Sequence, residues 1–189
     1  RRIGKSYAVE TFARTNYKSY LLIRFSYPRP GTLECFKEDC YDLDLFFAKL
    51  SAIYGVQLFP RKSVIIFDEV QLFPFARQLI KQLVKDGRFD YIETGSLISL
   101  HKNVKDILIP SEEEHLEMFP MDFEEFLWAL GDNATVPFLK NCFEKRIPLG
   151  QALHRKTLNE FRKYMLVGGM PQAVEAFRNS GDFAKADTI

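Results

Sequence analysis

The chain has 189 residues, 47% of them hydrophobic and 27% charged, with a formal net charge of +1. That length buries a sizeable core in one domain, or in one domain plus part of another, and the composition is that of an ordinary globular protein. The near-neutral charge excludes a global polybasic surface for nucleic acid or membrane and leaves only local patches, while no apolar stretch approaches the ~18–20 residues of a membrane span.

Arg1-Arg2-Ile3-Gly4-Lys5-Ser6 opens the chain. Gly4, Lys5 and Ser6 fill the last three positions of the phosphate-binding pattern G-x-x-x-x-G-K-[ST]. The first glycine of that pattern would precede Arg1, so the sequence reads as a fragment lacking the first glycine and the strand before it. The chemistry explains the pattern. Glycine lets backbone N–H groups curl around phosphate oxygens, a lysine ammonium reaches the β- and γ-phosphates, and a serine hydroxyl coordinates Mg²⁺. Tyr7 to Ala13 is compatible with a helix whose N-terminus faces the phosphates. By itself G-K-S also fits a surface loop leading into a helix.

Tyr20 to Phe25 is rich in β-formers and predicts a strand. Pro28, Pro30 and Gly31 break it into a loop. The stretch from Leu33 to Cys40 is ambiguous. Asp42 caps a predicted helix through Tyr54, with Leu43, Phe46, Phe47, Leu50 and Ile53 at helical spacing, and Gly55 ends it. The three cysteines, Cys35, Cys40 and Cys142, read as reduced thiols of a cytoplasmic protein, and no second Cys/His pair stands at zinc spacing. His101, His115 and His154 are scattered.

Val64-Ile65-Ile66-Phe67-Asp68-Glu69-Val70 is the stretch that organises the rest. Four apolar residues run into two carboxylates, which predicts a strand buried on both faces with its acids at the C-terminal end, where open α/β sheets place ligands. With Gly4-Lys5-Ser6 upstream, the pair reads as Asp68 holding Mg²⁺ and Glu69 orienting water. Pro74 precedes an amphipathic helix from Phe75 to Lys85, closed by Gly87. Tyr91 to Ser96 reads as a short strand ending in small polar residues. Leu97 to Ile109 is unassigned between helix and loop, with Lys102 and Lys105 as a mild basic patch. Ser111-Glu112-Glu113-Glu114 reads as a solvated acidic turn, and Leu116, Met118 and Phe119 as a short strand.

Asp122 with Glu125 predicts a capping box, and Phe123, Phe126, Leu127 and Leu130 form the apolar stripe of the helix it starts. Glu124 and Glu125 suit the first-turn dipole rather than catalysis. Past Gly131 the pattern is helical: Val136 to Lys145, Pro148 to Val167, and, after the break Gly168-Gly169-Met170-Pro171, Gln172 to Arg178. Asp182 caps a last helix.

Taken in order, Arg1 to Ser6, Ile65 to Gln71, Thr94-Gly95-Ser96, Phe119 to Leu127 and Tyr164 to Pro171 resemble the bacterial and archaeal AAA+-like P-loop ATPases whose ATPase core is followed by a C-terminal domain of unknown function. The resemblance implies a Walker A role for Gly4, Lys5 and Ser6 and a Walker B role for Asp68 and Glu69. Thr94 and Ser96 match the region that senses the γ-phosphate. It implies adenine rather than guanine, and no N-K-x-D motif for guanine is present. Arg155 and Arg162 are the candidates for an arginine finger supplied to a neighbouring copy in a homo-oligomer.

The expected fold is α/β, a P-loop NTPase parallel sheet flanked by helices and followed by an all-helical segment. Residues 1–130 are read as the ATPase core, and 131–189 as helices leading to a C-terminal domain outside this sequence. The expected function is Mg-dependent ATP hydrolysis coupled to an unknown protein or DNA partner, with ATP and Mg²⁺ as cofactors and Glu69 and Lys5 as catalytic groups. Two rivals stay open: a nucleotide-dependent binding switch that hydrolyses slowly, and a scaffold with little turnover.

Overall fold

The structure is a computed structural model that describes residues 2–95 and 113–187. Its contacts divide the chain into two compact units, one of Lys5–His115 and one of Leu116–Ile189 with Arg1–Gly4.

The Lys5–His115 unit is built on a parallel sheet in the order β1 (Ser19–Arg24), β2 (Ser63–Asp68), β3 (Asp90–Glu93). All six residues of β2 are buried, as expected of the centre of a parallel sheet covered on both faces. Side chains alternate along the strand. Ile65 and Phe67 therefore point to one face, into a cluster with Phe25, Phe36, Phe46, Leu50 and Leu83. Val64 and Ile66 point to the other, against Ala13 of α1 (Lys5–Asn16). Full burial of each such side chain contributes roughly 1.5–3 kcal/mol. The first face is largely aromatic, with Phe36 edge-on to Phe46 at 5.0 Å and to Phe67 at 5.7 Å.

The ambiguous stretch after Gly31 is a short helix, α2 (Thr32–Glu38). Helix α3 (Leu43–Tyr54) starts where the sequence predicts: the Asp42 carboxylate accepts from the Asp44 and Leu45 amides, and Gly55 closes the helix at φ 65°. Helix α4 (Pro74–Asp86) follows β2 with proline in its first turn. Strand β3 ends at Glu93, so Thr94 and Gly95 follow the strand rather than lie in it. Ser96, Leu97 to Ile109, with Lys102 and Lys105, and Ser111-Glu112 lie outside the described residues. Two expectations are corrected. Leu116 to Phe119 forms no strand, because no other strand pairs with it among the described residues. Glu113 is not a solvated acid: both its oxygens accept from Arg77 Nη2, at 2.8 and 2.9 Å.

The other unit is helical: α5 (Phe123–Ala129), α6 (Thr135–Lys145), α7 (Gln151–Val167), α8 (Pro171–Ser180) and α9 (Phe183–Asp187). Its core is Phe126, Leu127, Val167, Val174 and Phe177. The capping box at Asp122 and Glu125 forms in both directions, and the Asp182 carboxylate accepts from the Ala184 amide. Helix α7 begins at Gln151, later than Pro148, because Gly150 stands at φ 73° and ψ 155°, outside the helical region.

Candidate functional site

The alternation that sends Val64 and Ile66 toward α1 sends Asp68 there too. Asp68 is the last residue of β2 and is 5% exposed. Burying a carboxylate is costly unless it is hydrogen-bonded or paired, and Asp68 has both kinds of partner. Ser6 Oγ, in the first turn of α1, donates to its Oδ1 at 2.8 Å. Thr94 Oγ1 donates to the same oxygen at 2.5 Å. Arg24 Nε, at the end of β1, lies 3.9 Å from Oδ2.

Thr94 is itself pinned by the sheet. Its amide donates to the Phe67 carbonyl at 2.9 Å, its carbonyl accepts from the Val70 amide at 3.0 Å, and its hydroxyl accepts from the Glu69 amide at 3.3 Å. Of the two sensor candidates Thr94 therefore meets the acid pair, and Ser96 lies outside the described residues.

Lys5 is the first residue of α1 and is half-buried. Gly4 before it has φ 89°, a backbone state that glycine adopts without penalty. The first amides of a helix lack intrahelical partners and carry the positive end of its dipole, which suits a phosphate.

Glu69 occupies the left-handed region, with φ 57° and ψ 46°, at a cost of order 1–3 kcal/mol for a residue with a Cβ. Its carboxylate accepts a hydrogen bond from Gln71 Nε2. Gln71 is buried, and its Oε1 has no partner among the described residues. Sequence reasoning placed Gln71 in a motif without a role. The signal available was its position two residues past Glu69, across a tight turn.

On the opposite face of β3, the largely buried Glu93 has its carboxyl pushed up to about 7 by burial, with the Arg77 guanidinium opposing and Glu113 adding to the shift. Arg77 Nε lies 3.7 Å from it. Arg155 and Arg162 lie on α7 in the helical unit, where Arg162 donates to Asn159.

The donors around Asp68 are of the kind that suits Mg²⁺. The cation takes hard oxygens and keeps most of its shell for water and phosphate, so it asks the protein for one or two groups only. A serine hydroxyl and a carboxylate within 2.8 Å of each other, beside a helix N-terminus, fit that demand. No group of three His, Cys, Asp or Glu side chains able to hold a metal occurs among the described residues. Cys35 is buried, donates to the Phe46 carbonyl at 3.6 Å, and has its thiol pushed up to about 12 by burial. No described helix is long and apolar enough to cross a membrane.

Comparison with known proteins gives one family: the model of the AAA domain matches residues 1–127. No curated protein and no solved structure matches the chain. The parallel sheet with its flanking helices is the α/β P-loop NTPase fold, and the chain belongs to the AAA domain family, as an AAA-like nucleotide-binding domain.

Proposed function

We propose that the chain binds Mg-ATP and hydrolyses it, coupling the cycle to a partner protein or to DNA. Residues 1–130 serve as the ATPase core, and the helices of 131–189 follow it. The observation that carries the reading is the bond from Ser6 to Asp68. The two motifs stand far apart in sequence, and a serine–carboxylate pair beside a helix N-terminus is the arrangement that a nucleotide-bound cation needs.

In this reading Lys5 and the backbone amides of Gly4 to Ser6 bind the phosphates. Ser6 Oγ and Asp68 hold the cation. Glu69 orients the attacking water and accepts its proton. Thr94 fixes the Asp68 carboxylate and registers the γ-phosphate. Bound Mg-ATP supplies the phosphoanhydride and a cation that neutralises charge on its phosphates. The protein contributes mostly positioning and charge stabilisation. Glu69→Gln should spare ATP binding and remove most turnover, whereas Lys5→Ala should lose binding. Turnover that survives Glu69→Gln rejects the assignment of the water-orienting group.

The bond from Gln71 to Glu69 supports a second reading, a switch whose basal hydrolysis is slow. A carboxylate engaged by a buried amide is less free to take a proton from water. A low basal rate that rises with one specific partner favours this form of the activity.

A further inference from the structure

Tyr20, Leu22 and Arg24 alternate on β1 and so share one face. Beside them an open groove of about 340 Å³ is lined by three tyrosines (Tyr20, Tyr27 and Tyr54) and two arginines (Arg24 and Arg29), together with aliphatic side chains. Among the described residues no carboxylate lines it. The neighbouring Glu10 is already engaged, by Arg14 at 2.8 Å, by the Tyr20 hydroxyl at 3.0 Å and by Arg24 at 3.4 Å. Arg14 and Arg24 thus share Glu10, and Arg24 also lies 3.9 Å from Asp68, whereas Arg29 donates to a backbone carbonyl, so its charge leaves the groove locally cationic in a chain of near-neutral charge.

The groups are also partly fixed before any ligand arrives. The Arg29 guanidinium lies 4.9 Å from the centroid of the Tyr54 ring, and its Nη1 donates to the Ile53 carbonyl at 2.9 Å. Tyr27 is 90% exposed, so its ring offers a free π-face. An acidic peptide would use the guanidiniums and leave the rings idle. An aliphatic partner would strip the guanidiniums of water without return. Flat rings interleaved with planar cations match a ligand that alternates flat bases with phosphates. The bases of a duplex present no free face to such rings.

We propose that this groove binds single-stranded nucleic acid, a base stacked on the exposed ring of Tyr27 and its phosphates paired with Arg24 and Arg29. This names a partner class for the domain. Arg24 also lies 3.9 Å from Asp68, so a phosphate that engages Arg24 draws a cation away from the carboxylate assigned to Mg²⁺. That link to hydrolysis rests on the nucleotide reading above, whereas binding in the groove does not.

The test is fluorescence anisotropy with a labelled oligothymidylate of about 15 nucleotides, titrated at about 50 and 200 mM salt. Stacking on one aromatic residue is worth ~1–3 kcal/mol, so Tyr27→Ala should weaken binding by about 5- to 150-fold. Arg29→Gln should weaken it and flatten its salt dependence. Tyr41→Ala, at a tyrosine that is 89% exposed outside the groove, should change nothing, and Lys5→Ala should bind the oligonucleotide as the parent does. The proposal is overturned by an absence of saturable binding, by equal affinity for the matching duplex or for polyglutamate, or by equal losses in Tyr27→Ala and Tyr41→Ala. Loss of the nucleotide reading alone would show as oligonucleotide binding without ATP binding.

Discussion

The Thr94 hydroxyl makes two hydrogen bonds at once, donating to Asp68 and accepting from the Glu69 amide, and Thr94→Val removes both. Valine keeps nearly the same shape, so no large cavity opens, but the hydroxyl is lost. Asp68 then loses one of its two hydroxyl donors while remaining buried. A hydrogen bond to a charged group contributes about 1.5–3 kcal/mol, and leaving the Glu69 amide without its acceptor costs about 1 kcal/mol more. The backbone bonds of Thr94 to Phe67 and Val70 survive, so the strand end stays in place. The expected loss is about 2–4 kcal/mol of stability, read from urea denaturation followed by circular dichroism. Thr94→Ser, which keeps the hydroxyl, should recover most of it. If the domain hydrolyses ATP as proposed, kcat should fall in Thr94→Val with little change in KM, since Lys5 and the helix amides are untouched. A stability loss below about 0.5 kcal/mol would mean that Asp68 does not depend on this donor, and the account of how it tolerates burial would fail.

Three further outcomes test other parts of the structure. A Cβ on Gly169 would lie 2.1 Å from the Met121 carbonyl oxygen, so Gly169→Ala must break the backbone pairing there and should cost roughly 3 kcal/mol, whereas Gly131→Ala, which meets nothing within 4 Å, should cost only the ~1–2 kcal/mol of its positive φ; Trp128 fluorescence during thermal unfolding compares the two. Glu93 titrates near 7 in the fold against an ordinary 4.5, so the folded state holds this proton more tightly, and its contribution to stability is full below about pH 4.5 and is lost as pH rises to about 7; Glu93→Gln, with Arg77 still paired to Glu113 and His115 3.8 Å from that acid, should flatten stability across that window, and an unchanged pH profile would refute the assignment. Gln71→Met frees the Glu69 carboxylate, so basal ATP turnover should rise if the switch reading holds and stay level or fall if Gln71 instead aims Glu69 at water.

The parts legible in the sequence are those set by local pattern. β2 declared itself because four apolar residues in a row suit only a position buried on both faces, and α3 and α5 because their caps are written into Asp42 and Asp122. Ser6 and Asp68 were legible as a pair because each motif is short and their chemistry is complementary. Contacts that join distant segments left little local trace. Arg24 reaching Asp68, Arg77 gripping Glu113 and Thr94 pinning Glu69 depend on sheet register and helix placement, which no window of sequence contains. The alternation in Leu116 to Phe119 looked like a strand, yet alternation describes a strand only where another strand supplies its hydrogen bonds.

The same limit applies to two stretches of the family resemblance that have no role at the nucleotide site. Phe119 to Leu127 and Gly168 to Pro171 meet in the helical unit: the Met121 amide donates to the Gly169 carbonyl at 2.8 Å, and the Tyr164 hydroxyl donates to the Met121 carbonyl at 3.0 Å. Gly169 is not among the glycines with positive φ, so its lack of a side chain serves the approach of Met121 and not a turn. A second glycine, Gly168, does take φ 76° and closes α7. Adjacent glycines thus meet two separate demands, one conformational and one steric, and a Gly-Gly-Met-Pro run that could pass for a ligand loop is accounted for by the packing of its own unit.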